Sequence, residues 1–251
     1  MDAQLEKRLN ELALRSAHTG ATCYTRFLEP VQADTVRAVA ARAGVRAAFW
    51  GGYEDAERRV AAFTAEEDAL PMEAWPLRAL RLEWNARFAH PGHRDLLGAV
   101  MGLGIERETV GDIAPGRYRE AECAYLFVLK DMADYIAASL ESAGRASLRV
   151  SLATEAPALL PPEGETLRLT VQQERLDAVT AAAYRLSRSE AQRLISAGLV
   201  KLNHAPTLRC DAKLAAGDLI SVRGHGRARV TEFQGESRRG RRVVQVFRYG
   251  K

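Results

Sequence analysis

Apolar positions along this chain follow two periods, and the switches between them divide it into segments. Residues 3–16 set Leu5, Leu9, Leu12 and Ala13 at the i, i+3/i+4 spacing of a helix that buries one face. After TRFLEP the pattern predicts a second helix. Pro30 lies near its first turn, Val31, Val36, Val39 and Ala40 form its apolar side, and Gly44 ends it. VRAAFW reads as a strand stopped by Gly51 and Gly52, and AERRVAAF as another short element. The loop TAEEDALPMEAWP holds two prolines and four acids and reads as a linker. Residues 1–77 are therefore expected to form a small α/β unit.

From Arg78 to Ala153 the alternation becomes more regular. RALRLEW reads as a strand, HRDLLGAVMGLG as a helix, and TVGDI and AECAYLFVLK as strands. DMADYIAASLESAG is predicted to be an amphipathic helix with Met132, Tyr135, Ile136 and Leu140 inward, and ASLRVSLA a last strand. The order β-α-β-β-α-β predicts a ferredoxin-like domain over residues 78–153, a topology that RNA-recognition domains also use. Tyr125 and Phe127 alternate on one strand face, and core packing is the preferred reading over base stacking. TEAPALLPPEGET, rich in proline, marks a linker over residues 154–165.

The stretch from Arg175 to Val222 carries the clearest local chemistry. Ser187 followed three residues later by Glu190 is a capping box, so a helix starts at Arg188. Ala191, Leu194 and Ile195 share its apolar face, while Arg188, Ser189, Gln192, Arg193 and Ser196 line the other with donors suited to phosphate and sugar oxygens. Gly198 supplies the left-handed stop. In LVKLN, Lys201 and Asn203 then fall on the wet side of a period-two strand, and a Gly-Asp turn leads to the strand Leu219–Val222. Asp177 reads as a first-turn acid that suits the helix dipole.

Charge changes the picture more than composition does. The net charge of +4 hides an uneven split: residues 166–251 hold 17 Lys+Arg against 7 Asp+Glu, and residues 1–165 hold 19 against 25. A basic end of this kind is the electrostatic mark of a nucleic-acid binder. Its tail adds Arg223, Arg227 and Arg229, then Arg238, Arg239, Arg241 and Arg242 around Gly240 in an expected hairpin tip.

Two resemblances follow from these strings. RLD at Arg175–Asp177, SRSEAQRLI, GLVKLN and GDLISV resemble, in order and spacing, the S-four domain named after a small-subunit ribosomal protein. His204 stands where many members have Gly. RFLEP, FWGGYEDAERR, HRDLLGAVMGLGIERETVGDI and SVRGHGRARV, spread over the whole chain, resemble the YlmH family. That likeness implies a bacterial, cytoplasmic RNA-binding protein linked to the large ribosomal subunit with stalled peptidyl-tRNA, hence to rRNA, tRNA and ribosome-associated quality control, and by gene neighbourhood to cell division. The S-four likeness implies that Arg175, Lys201 and Asn203 flank the RNA surface that the polar side of the capped helix offers through Ser187, Arg188, Ser189, Gln192 and Arg193. The expected fold class is α+β: an N-terminal α/β unit, a ferredoxin-like middle domain, and an S-four-type domain over residues 166–251.

Other functions are disfavoured. No apolar run approaches a membrane span, and the charged N-terminus has no signal core, so a cytoplasmic location and no membrane partner are expected. Cys23, Cys123 and Cys210 lack metal spacing and read as buried, reduced thiols. HPGH at His90–His93 mimics a tRNA-synthetase signature without the Lys-Ser-rich loop such enzymes need, and the RLD string of pseudouridine synthases lies here inside the S-four module. A monomer without catalytic residues, cofactor, metal or small-molecule substrate is expected. A tRNA-charging or RNA-modifying enzyme such as a pseudouridine synthase, and an interaction protein for division, are the alternatives.

Overall fold

The computed structural model describes residues 3–66, 68–237 and 240–250. It divides into two compact units, Met1–Leu160 and Pro161–Lys251.

The first unit is built in four layers. Helices α1 (Ala3–Thr19) and α2 (Ala33–Ala43) cover one face of an antiparallel sheet of β1 (Cys23–Leu28), β2 (Arg46–Trp50) and β3 (Arg59–Thr64), with β3 central. Leu9, Ala13, Val36, Val39, Ala61 and Phe63 form this first core. The second sheet contains β4 (Leu77–Glu83), β5 (Val110–Tyr118), β6 (Ala121–Leu129) and β9 (Arg149–Leu152) in the order β5-β6-β4-β9. Helices α3 (His93–Gly102) and α4 (Ala133–Ser139) back one face of it over Leu80, Leu82, Leu126 and Ile136. A two-residue hairpin, β7 (Ser142–Ala143) and β8 (Ala146–Ser147), precedes β9. All neighbours are antiparallel and the order is that of the ferredoxin-like topology.

The two sheets meet face to face. Alternation on β3 sends Ala61 and Phe63 to the helices and Val60 and Ala62 to the other side, where they join Phe27, Trp75, Leu77, Cys123, Tyr125, Phe127 and Leu129. Tyr125 and Phe127, the aromatic pair of β6, are therefore core residues with 3% and 1% exposure. The open sheet face on which RNA-recognition domains stack bases is closed here at these two positions.

A polar clasp fixes this closure. The Asp112 carboxylate accepts from Tyr53 Oη at 3.1 Å, Glu57 N at 2.6 Å and Arg58 N at 3.2 Å. Arg58, 9% exposed, donates to Val110 O at 3.1 Å and Arg107 O at 3.3 Å. Gly52 adopts φ +100°, and a Cβ there would lie 2.2 Å from the Phe127 ring, against which Tyr53 stacks. GGYEDAERR and ERETVGDI thus hold two sheets together.

Several expectations change. TRFL belongs to a strand, β1, that the pattern hid because Thr25 is buried: its hydroxyl accepts from Ala61 N at 2.9 Å. Val31 is exposed, because a 3-10 turn (Pro30–Gln32) precedes α2 and shifts the helical phase. Tyr135 is also exposed; Ala133, Ile136 and Leu140 take the buried stripe of the short α4, and the Tyr135 hydroxyl donates to Leu103 O at 3.2 Å. Leu159 bridges to Gly116, and Leu160 N donates to Pro115 O, so part of the proline-rich stretch lies along β5.

The second unit is a six-stranded antiparallel sheet, ordered β10-β15-β14-β13-β11-β12, with two helices on one face. Its elements are β10 (Gly164–Val171), α5 (Leu176–Tyr184), α6 (Arg188–Ser196), β11 (Val200–Leu202), β12 (Ala205–Pro206), β13 (Leu219–Val222), β14 (Gly226–Glu236) and β15 (Arg242–Tyr249). β10 begins inside the expected linker. Val179, Ala183 and Ile195 pack on Val200, Ile220, Val222, Val230, Val244 and Val246.

Candidate nucleic-acid interface

The helix side of the second unit is organised by one buried carboxylate. Asp177 is fully buried in the first turn of α5. It accepts from Arg175 Nε at 3.1 Å and Nη2 at 3.2 Å, from Arg188 Nε at 3.2 Å and from Gln192 Nε2 at 2.9 Å. Burial would raise this carboxyl, but the bonds from Gln192, Arg175 and Arg188 outweigh that and hold it below the usual range. The first-turn reading of Asp177 is therefore incomplete: the residue pins three of the expected RNA-contacting side chains to one surface. Arg175 and Arg188 keep about a third and a half of their side chains exposed, so the ion pairs orient the guanidinium groups without hiding them.

The capping box of α6 forms as expected. Ser187 Oγ accepts from Glu190 N at 3.2 Å, and Glu190 Oε2 accepts from Ser187 N at 3.0 Å and Ser187 Oγ at 2.8 Å. These bonds hold the Glu190 carboxyl below its ordinary value. Ser187 is thus engaged in the cap, with Ser189 Oγ 3.1 Å away. Ser189 and Arg193 are exposed.

The turn after β13 is tied to α5. Tyr184 Oη lies 3.1 Å from both Ile220 O and Gly226 O, and its ring meets His225 edge-on at 6.1 Å. Burial pushes the Tyr184 hydroxyl up, so it remains a donor. His225 helps to lower the Glu190 carboxyl. Arg223 is exposed.

Lys201 and Asn203 take other places. Lys201 registers with Ser221, and Ser221 with Arg227, on the sheet face turned away from the helices. Asn203 locks a turn: φ is +48° there and +69° at His204, Oδ1 accepts from Leu219 N at 2.9 Å, and Nδ2 donates to Asp218 Oδ1 at 2.7 Å. The turn thus keeps its left-handed form without the Gly of the module's usual pattern.

The face away from the helices carries residues that the sequence reading passed over. The Arg227 guanidinium sits 5.1 Å from the centre of the Tyr249 ring, Arg229 Nε donates to Tyr249 Oη at 3.1 Å, and Phe247 meets Tyr249 edge-on at 5.0 Å. The alternation of Gln245, Phe247 and Tyr249 was the available signal. Arg241 is exposed in the β14–β15 connection, whereas Arg242 binds Glu174 at 2.5 and 2.8 Å and Arg248 binds Ala183 O and Glu165. Arg238 and Arg239 lie outside the described residues. Cys210 is half-buried, unlike the buried Cys23 and Cys123.

Oriented guanidinium groups, an amide, hydroxyls and a helix N-terminus make a surface fitted to phosphate and sugar oxygens. Comparison with known proteins agrees with this chemistry. "Ribosome-associated protein quality control protein P2" of Bacillus subtilis (strain 168) is 35% identical over 216 residues, 86% of this chain and 82% of that protein. The chain belongs to the YlmH family. Family models match along its length: "YlmH, N-terminal" at residues 2–67, "Putative RNA-binding domain in YlmH" at 72–156 and "S4 domain" at 174–220. The solved structure "Cell division protein ylmH from Streptococcus pneumoniae" is 19% identical, with a TM-score of 0.49 over 61% of this chain and 90% of that one. Among the described residues, no helix is long and apolar enough to cross a membrane.

Proposed function

We propose that this chain is a non-catalytic, cytoplasmic, monomeric RNA-binding protein that contacts rRNA and tRNA on large ribosomal subunits holding stalled peptidyl-tRNA, in ribosome-associated quality control. The observation that carries the RNA reading is the buried Asp177, which converges Arg175, Arg188 and Gln192 on one surface; Arg193 and Arg223 are further exposed cations of the same unit. The name of the Bacillus subtilis relative supports the ribosomal context. The internal bonds of Asp177 also weigh against the pseudouridine-synthase alternative, since its carboxylate is already held by three side chains.

The test is binding of the full chain to purified large subunits against Arg193→Glu/Arg223→Glu, two exposed positions. Wild-type affinity should fall steeply with salt, by a slope of roughly 0.7–0.9 per phosphate contact, and the folded variant should bind at least about tenfold more weakly. Full binding by the folded variant would refute this interface.

A further inference from the structure

Within the first unit, a second cluster of arginines stands apart from the surface described above. Arg81 and Glu83 of β4, Tyr118 at the end of β5, Arg119 in the β5–β6 turn, and Arg149 and Ser151 of β9 line a cleft of about 340 Å³. Arg81 binds Glu83 at 3.1 Å, and its guanidinium lies 3.4 Å from the centre of the Tyr118 ring; that of Arg119 lies 5.1 Å from the same centre. Ser151 Oγ is buried and has no hydrogen-bond partner among the described residues. A buried hydroxyl left so is uncommon and points to an absent acceptor or donor.

The turn that presents Arg119 breaks a local rule. Arg119 and Glu120 adopt φ +48° and +65°, in a two-residue hairpin turn where glycine or asparagine would sit without strain. Non-glycine backbone held in this region is found often at active sites and ligand clamps. Three guanidinium groups face one carboxylate, so the cleft keeps a positive excess. The Arg81 and Arg119 guanidinium groups gathered at the Tyr118 ring offer an anion its contacts, with the ring left to meet a base flanking the phosphate. Arginine forks match the oxygens of phosphate.

We propose that this cleft is a phosphate site that takes a phosphodiester of an RNA strand, a second contact outside the S4 domain. It deepens the RNA-binding reading and rests on it. Such a site reconciles the closed sheet face with RNA binding by this part of the chain, because it does not need Tyr125 or Phe127.

The experiment uses the full chain, a single-stranded RNA oligonucleotide and, in a separate arm, adenosine monophosphate. Ultraviolet cross-linking with peptide mapping should label the Tyr118 peptide as well as peptides of residues 166–251. Arg119→Glu/Arg149→Glu changes exposed positions; it should melt as the wild type does, lose the Tyr118 cross-link, keep those of residues 166–251, and bind with a salt slope shallower by about 0.7 per lost contact. Ser151→Ala should melt unchanged or higher, since no bond is lost, yet bind RNA about fivefold more weakly. An unchanged slope and a retained Tyr118 cross-link in the double variant overturn the proposal. So does adenosine monophosphate binding that depends on Arg119 and Arg149 without any RNA cross-link at Tyr118, which would make the cleft a free-nucleotide site. Loss of the cross-links in residues 166–251 alone would sink the interface proposed for the second unit and leave the cleft standing.

Discussion

Arg188→Glu and Arg193→Glu make the same change of charge on neighbouring turns of α6, and the structure predicts that they part in stability. Arg188 Nε lies 3.2 Å from the buried Asp177 carboxylate, whereas Arg193 is exposed. At that distance a unit pair is worth about 5 kcal/mol at an effective dielectric of 20 and about 1.3 kcal/mol in water. Roughly half of the Arg188 side chain is exposed, so the value belongs nearer the aqueous end. Glu at 188 loses this attraction and adds repulsion, offset by about 0.5 kcal/mol from its favourable position at the helix N-terminus. The net loss is about 2 kcal/mol, or about 10 °C for a cooperative unit of this size. Arg193→Glu adds only a like charge three residues from Glu190, about 0.3 kcal/mol. Thermal melts followed by circular dichroism, with RNA binding measured alongside, separate the two effects: both variants should bind RNA poorly, and only Arg188→Glu should melt early. Equal melting of the two variants would refute the claim that Asp177 organises this surface.

Tyr125→Ala should cost about 3–5 kcal/mol through a core cavity, with RNA affinity of the folded fraction unchanged; unchanged melting with lost binding would make Tyr125 a base platform. Gly111→Ala should destabilise by about 1–3 kcal/mol, since its Cβ would come 2.5 Å from the Phe27 ring in the core, and denaturant midpoints will read this. Because the Asp177 carboxyl titrates lower folded than unfolded, its contribution is intact above the ordinary carboxylate range near pH 4 and is lost as pH falls through its folded value. Urea midpoints of the wild type should therefore drop more steeply on that acid side than those of Asp177→Asn; parallel curves would contradict this.

What the sequence disclosed was local. The cap at Ser187–Glu190 and the left-handed Gly198 are short-range chemistry and formed as read, and the strand order of the middle part follows from alternation and length. Asp177 and Gln192 are 15 residues apart and meet only because α5 packs on α6, which no periodicity announces. β1 was concealed by Thr25, a polar residue on a buried face whose hydroxyl serves the neighbouring strand. Exposed Val31 and Tyr135 have one cause: a 3-10 turn before each helix rotates the apolar stripe away from a count begun too early. The S-four resemblance puts Lys201 on one RNA surface with α6, whereas the sheet register sets it beside Ser221, itself opposite Arg227, on the face away from the helices.

The face-to-face closure of the two sheets also sets a timetable for synthesis. Phe27, Val60 and Ala62 are covered by Tyr125, Phe127 and Leu129, yet β3 ends at Thr64 and β6 at Leu129. At roughly 5–20 residues per second, the ribosome takes several seconds to make the covering strand. Through that interval the apolar face of β1 and β3 lacks its cover, the kind of exposed surface that makes unfinished chains prone to aggregate.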